Sequence, residues 1–233
     1  MRVLIRFIFI MWVKLLTRCF FRFDWGWVGK VPSDGFRDTK IGIFLNHTSL
    51  WEPIFLGTLP ASLLWKMAKD GVMPGADITM NRPVAGRLFK LITKDSVSIS
   101  RKRDRTWESF LARIKPESYV LIAAEGRMKR PNGLDKEGRP MTVKGGIVDV
   151  LKKIGHGKMV LCYSAGLHHI QAPGDRFPKL FRVAKIRYEA LEIESYLKSF
   201  GEGPDARELR RQVVADLENR RDHYLRLYDS GEL

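Results

Sequence analysis

A chain of 233 residues with 45% apolar content can bury one sizeable core and is too apolar for global disorder. Its formal net charge of +15 asks for an anionic partner: nucleic acid, anionic lipid, an acidic carrier protein or a phosphorylated cofactor. The 2 cysteines, Cys19 and Cys162, lie far apart, which excludes a disulfide framework and fits a reducing, cytosol-facing location.

Residues 1–23 are almost unbroken in hydrophobicity, interrupted by Arg2, Arg6, Lys14, Thr17, Arg18 and Arg22. The uncharged run 7–13 falls far short of the ~20 residues needed to cross a bilayer, and no small-residue cleavage site follows it. At about 100° per residue, Arg2, Arg6, Lys14, Thr17 and Arg18 share an arc of roughly 160°. Opposite them lie Leu4, Ile5, Ile8, Phe9, Met11, Trp12, Leu15 and Leu16. The pattern predicts an amphipathic helix in the plane of a membrane interface, apolar face down and cations at phosphate level. An ordinary core helix is the plainer alternative. Phe20, Phe21, Phe23, Trp25 and Trp27 suit the headgroup boundary. On this reading residues 1–28 form a membrane-interface helix and residues 29–233 the main domain. The chain would then sit, peripheral or monotopic, on the cytosolic face of the inner (cytoplasmic) membrane, against anionic lipid.

Past residue 30, short apolar runs alternate with helix-like stretches. Residues 41–46, 96–100, 119–125 and 158–164 read as strands, and 182–188 alternates charge and hydrophobe like an edge strand. Residues 51–58, 84–92, 105–114 and 145–153 read as helices. The alternation predicts an α/β fold: a twisted, mostly parallel sheet flanked by helices, with the amphipathic helix at its N-terminus. Residues 205–228 predict a terminal helix, with Asp205 as N-cap, Glu208 in the first turn, and Leu209, Val213, Leu217 and Tyr224 on its apolar side. Residues 129–142, rich in Gly, Pro and charge, form a loop long enough to be functional.

The run Asn46-His47-Thr48-Ser49-Leu50-Trp51-Glu52 sits where an apolar strand ends and a helix begins, the position at which open α/β sheets bind ligands. An acid five residues after a histidine, across a turn, can hold the far imidazole nitrogen and stabilise the imidazolium formed when the near nitrogen takes a proton. If an acceptor hydroxyl attacks a thioester directly, no serine or cysteine nucleophile is needed. The plainer reading makes His47 a helix cap and Glu52 a first-turn acid favoured by the helix dipole. Two later strand ends add charge: Arg101, Lys102 and Arg103 after 96–100, and Glu125-Gly126-Arg127 after 119–124, with Lys129 and Arg130 behind. Cations there suit phosphate, and Glu125 can hold a glycerol hydroxyl or an arginine. Singly, Lys102, Arg103 and Lys129 also fit a solvated basic rim.

The order of these segments resembles the glycerophospholipid acyltransferase superfamily, whose best-known members acylate 1-acyl-glycerol-3-phosphate. The family's Asn-His-x-x-x-x-Asp block is similar to Asn46-His47-Thr48-Ser49-Leu50-Trp51-Glu52, with Glu for Asp. Its second block, an apolar strand ending in arginine, is similar to Val97-Ser98-Ile99-Ser100-Arg101. Its third, Phe-Pro-Glu-Gly-Thr-Arg-Ser, is similar to Ala123-Ala124-Glu125-Gly126-Arg127-Met128-Lys129, with Met128 where the arginine belongs. Lys144-Gly145-Gly146 resembles a lysine–glycine step ahead of the family's next helix, and residues 160–166 match the fourth block loosely, without its proline. The resemblance spans residues 35–170. It implies His47 as general base with Glu52 as its partner, and acceptor binding by Asn46, Arg101, Glu125, Gly126 and Arg127, Lys129 or Arg130. It also implies acyl-CoA or acyl-carrier protein as donor substrate, a lysophospholipid or related lipid hydroxyl as acceptor, and no cofactor.

Other signals carry less. His156, His168 and His169 lack metal-type spacing, so no metal site is expected. Ser164 lacks the first glycine of a nucleophile elbow. Residues 207–226 read as the solvated face of the last helix. The rival classes are a basic nucleic-acid or lipid-binding module, a thioesterase in which the same histidine activates water, and a catalytically dead scaffold. No nucleic-acid motif is visible and the aromatics do not interleave with the basic clusters, so a nucleic-acid partner is not expected.

Overall fold

The structure, a computed structural model, describes residues 1–81, 85–100, 103–172, 174–201 and 205–233. The chain opens with α1 (Arg2–Phe20) and β1 (Arg22–Trp27), then runs through β2 (Thr39–Leu45), a 3-10 turn (Glu52–Gly57), α2 (Ala61–Asp70) and β3 (Gly71–Ala76). Next come α3 (Asp77–Met80), α4 (Ala85–Ile92), β4 (Asp95–Ile99), α5 (Arg105–Ala112), β5 (Tyr119–Ala123) and α6 (Gly146–Ile154). It ends with β6 (Lys158–Ser164), β7 (Val183–Glu192), α7 (Ile193–Lys198) and α8 (Ala206–Ser230).

The strands form one sheet in the order β1-β7-β6-β2-β5-β3-β4. Strands β6, β2, β5, β3 and β4 are parallel; β7 is antiparallel to β6 and carries β1 parallel at its far side. Side chains alternate between two cores, as the two-residue period of a strand requires. On β6, Met159, Leu161 and Tyr163 face a core shared with Phe110, Ile147, Leu151, Leu209, Val213 and Leu217 of α5, α6 and α8. Val160 and Cys162 face the other core, with Ile10 of α1, Phe55 of the 3-10 turn, and Leu64 and Met67 of α2. Helices thus cover both faces of a mostly parallel sheet, which explains why β2 and β6 read as nearly continuous apolar runs.

The structure departs from the sequence expectations at several places. Strand β7 is interior: β1 covers its outer side, with Arg22 opposite Val183 and Trp27 opposite Tyr188. Its alternation comes from burial of Ala184, Ile186 and Tyr188 on one face, while Arg187 pairs with Asp24 (2.8 Å) on the other. The stretch 51–58 is a 3-10 turn with Pro53 at its start rather than an α-helix. Strand β3 escaped the pattern because Gly71, Pro74 and Gly75 read as turn residues. It bonds to β5 only through Gly71 and Val72, so Pro74 lies beyond the doubly bonded part, where a missing donor is tolerated. Finally, Phe21 is buried, and Trp27 packs on Phe36 (4.7 Å between centroids) and Tyr188 (5.8 Å) instead of facing outward.

Residues 1–28 supply both α1 and the edge strand β1, and α1 meets the domain with the arc opposite to the apolar one. Ile10 and Thr17 are buried, Arg18 Nε donates to Gly57 O (2.8 Å), and Lys14 Nζ donates to Gly57 O (3.3 Å) and Leu59 O. Lys14 and Arg18 therefore meet the carbonyl end of the 3-10 turn. Gly57 permits the approach, since a Cβ there would meet the Phe23 ring at 2.6 Å and Thr17 Oγ1 at 2.9 Å. Leu4, Ile8, Trp12 and Leu15 point away from the domain, each more than half exposed (53%, 58%, 55% and 60%). No described helix is long and apolar enough to cross a membrane.

Candidate active site

Strand β2 delivers its chain to the carboxyl end of the parallel strands, between β5 and β6. Asn46 then turns with φ 62, a left-handed conformation that asparagine tolerates better than most residues. Its Nδ2 donates to Ser164 O (2.9 Å), tying the turn to the end of β6. The chain folds back through Thr48 and Ser49 into the 3-10 turn, which returns Glu52 to the histidine. His47 Nδ1 lies 2.6 Å from Glu52 Oε2, and Thr48 N donates to Glu52 Oε1 (3.0 Å). Both carboxylate oxygens are thus engaged. A carboxylate only accepts, so Nδ1 carries a hydrogen, and in the neutral ring Nε2 is then the nitrogen with the lone pair.

Glu125 sits beneath the turn. It is 1% exposed, and its carboxylate accepts from Asn46 N (3.2 Å), His47 N (2.8 Å) and Arg221 Nη1 (2.9 Å). Of the two roles open to it from sequence, holding an arginine is the one the geometry displays. A buried carboxylate with three donors is a clamp on the His47 backbone rather than a group exposed to an acceptor. Arg221 also donates to Met141 O (3.3 Å) and to Asp222 (2.8 Å). This corrects the reading of residues 207–226 as a purely solvated face: Arg221 is buried in line with Leu209, Val213 and Leu217 on α8.

The β5 end brings further expected residues together. Gly126 takes φ 63, which favours glycine. Lys129 N donates to His47 O (2.7 Å), strapping the following loop over the histidine turn. Arg127 forms an ion pair with the buried Asp135, whose carboxyl is held below its usual range by the Arg139 backbone N–H first and by Arg127 after it. Lys129 and Arg130 make no side-chain ion pair among the described residues. Lys144, just behind, has its pKa lowered by burial and then by the neighbouring Arg127 and Arg139. Arg101 lies outside the described residues.

Among the described residues around His47, the thiol and hydroxyl groups are buried or already hydrogen-bonded. Burial pushes the Cys162 thiol far up, so it is not a thiolate nucleophile. Ser164 is 1% exposed and its Oγ accepts from Gly166 N (3.0 Å). Ser49 Oγ donates to Gln171 Oε1 (2.8 Å), and Thr48 Oγ1 accepts from Leu167 N (2.8 Å). His168 Nε2 is paired with Lys129 O (2.8 Å), a structural contact. A cleft of about 810 Å³ opens elsewhere, lined by Lys14, Trp25, Trp27, Phe36 and Lys66 among others, and no residue of the His47 turn borders it.

The fold is a mostly parallel sheet covered by helices on both faces, with a histidine–carboxylate pair at a central strand end. It is similar to the crystal structure of the 1-acyl-sn-glycerophosphate (LPA) acyltransferase PlsC from Thermotoga maritima, with a TM-score of 0.54 over 94% of this chain and 81% of that one. Sequence identity is 14%, so the likeness is one of fold. No protein-family model and no curated protein matches the chain.

Proposed function

We propose that the protein is a membrane-surface O-acyltransferase that moves a fatty acyl group from acyl-CoA or acyl-carrier protein to the hydroxyl of a lysophospholipid or related lipid. The observation that carries this reading is the 2.6 Å contact between His47 Nδ1 and Glu52 at the end of β2. With Nδ1 engaged, Nε2 takes the proton of the acceptor hydroxyl as its oxygen attacks the thioester carbonyl carbon. The tetrahedral intermediate then collapses, the C–S bond breaks, and the imidazolium returns the proton to the departing thiolate. An ester and a free thiol result. Glu52 stabilises the imidazolium between these steps. Glu125 and Arg221 hold the histidine turn, and Lys129, Arg130 and Lys144 supply positive charge for a phosphate-bearing acceptor.

The direct test is incubation of the purified chain with acyl-CoA or acyl-carrier protein and a panel of lysolipids, with the product identified by mass. No acylated lipid in any pairing would end the reading; free fatty acid released equally with and without acceptor would point to hydrolysis. Glu52→Gln keeps a hydrogen-bond acceptor but loses the charge. It should lower turnover by about 10²-fold or more while the thermal midpoint barely moves.

The outward apolar arc of α1 supports a place at a lipid surface, since large apolar side chains each gain about 1.5–3 kcal/mol on leaving water. Ile8→Ser with Trp12→Ser should weaken co-sedimentation with anionic vesicles by more than tenfold. Stability should change by no more than about 0.5 kcal/mol, because neither side chain serves the core. A large loss of stability in urea unfolding would instead make the arc part of the protein's own interior.

A further inference from the structure

Between β6 and β7 the chain makes an excursion whose outer part is apolar and cationic at once. Phe177 and Phe181 are 71% and 64% exposed, and Leu180 and Val183 are exposed beside them. Arg176, Lys179 and Arg182 alternate with these side chains and are exposed as well. The acid of the segment, Asp175, turns its carboxylate to Ala172 N (3.0 Å). Phe181 has φ 59, which a bulky L residue rarely adopts. Clustered apolar side chains left in water and rimmed by charge mark a surface that something covers.

Two sets of contacts place this surface. On one side Phe181 N donates to Phe20 O (2.7 Å), and the two rings stand 6.2 Å apart. Phe20 ends the row Ile8, Trp12, Leu16 at four-residue spacing on α1, so the loop prolongs the helix's outward apolar arc. On the other side the same excursion reaches the candidate active site. Leu167 N donates to Thr48 Oγ1 (2.8 Å), Gln171 accepts from Ser49 (2.8 Å), and Lys179 N donates to Ile170 O (2.8 Å).

We propose that residues 176–183 are a second membrane-contact element. It seats Phe177, Leu180 and Phe181 among the acyl chains of an anionic leaflet, with Arg176, Lys179 and Arg182 at the lipid phosphates. The proposal rests on the reading that α1 docks on a bilayer, and deepens it. Charge selects this occupant: the segment is cationic, and a second copy of a chain carrying +15 would be repelled from it. A helix lying in an interface by itself leaves the domain free to tilt. A second contact beyond the C-terminal end of α1 lengthens the footprint and restricts that tilt. Because it is hydrogen-bonded to Thr48 and Ser49 through its base, it sets the height of His47 above the lipid.

The test uses the full chain with Cys19→Ser and Phe177→Cys, labelled at residue 177 with an environment-sensitive dye; Cys162 is buried and stays unlabelled. Vesicles containing phosphatidylglycerol should shift the emission to the blue, whereas pure phosphatidylcholine vesicles and soluble glycerol phosphate should not. In unlabelled protein, Phe177→Ser with Phe181→Ser should weaken partitioning onto the anionic vesicles at least tenfold. Co-sedimentation without a spectral shift would overturn the loop's role and leave α1 as the sole contact. A blue shift that grows with protein concentration in the absence of vesicles would make the patch a self-association surface and also overturn it. Failure of the parent chain to co-sediment at all would remove the α1 reading together with this one.

Discussion

Replacing His47 by alanine should lower acyl transfer by about 10²–10⁴-fold, the range ordinarily supplied by a positioned general base, with the fold intact. The imidazole meets one oxygen of Glu52, and the second oxygen of that carboxylate remains on Thr48 N. Glu125 holds the backbone N–H of residue 47 whatever its side chain. The loss should therefore appear in kcat while thermal unfolding changes little. Added imidazole, small enough to enter the vacated space, should restore part of the rate with a pH dependence of its own. Unchanged transfer by a folded His47→Ala protein would remove the histidine from the reaction and return the site to a structural helix entry.

Arg221→Met should have the largest effect on stability. The guanidinium neutralises a carboxylate that is 1% exposed, and its removal leaves Glu125 buried with only two backbone donors. Breaking such a pair from one side costs about 3–5 kcal/mol, which for a domain of this size lowers the melting temperature by about 6–20 °C. Turnover should fall as well, because the Asn46–His47 turn loses the charge balance of the group that holds it. Combining Arg221→Met with Glu125→Gln should recover much of the stability, since no uncompensated charge then remains. Rate should not recover in parallel, because a neutral amide offers the two backbone N–H groups a weaker acceptor. If the double variant were as unstable as the sum of the singles, the two side chains would not be acting on each other.

The outcome for the sequence reading follows from range. Runs such as 41–46 and 158–164 carry their own signal, because strands covered on both faces must be apolar throughout. The contact between His47 and Glu52 was legible because the two groups that meet lie within one turn. Arg221 was not, since its partner Glu125 lies just past the end of β5, far away along the chain, and arginine is ordinarily a surface residue. A faint signal existed: Arg221 continues the four-residue row of Leu209, Val213 and Leu217, so it occupies the buried stripe of α8. Strand β3 was hidden by glycine and proline that are allowed only because of where neighbouring strands stop. In α1 the amphipathic division was readable, but its orientation was not. Periodicity separates two faces of a helix and says nothing about which one the rest of the chain will meet.

The seating of β1 also orders events in time. Arg22 and Val183 are neighbours in the sheet although nearly the whole domain separates them along the chain, so the entropy of closing that loop is spent before the pairing returns anything. As the polypeptide leaves the ribosome, the first strand has no bonding edge to join until the last one emerges, and the arginine that completes the histidine clamp follows later still. The carbonyl groups of Gly57 and Leu59 that take up the cations of α1 emerge early in that interval. The helix can therefore seat its inner side on the 3-10 turn while β1 still waits for β7, leaving its outward side to whatever surface the nascent chain encounters.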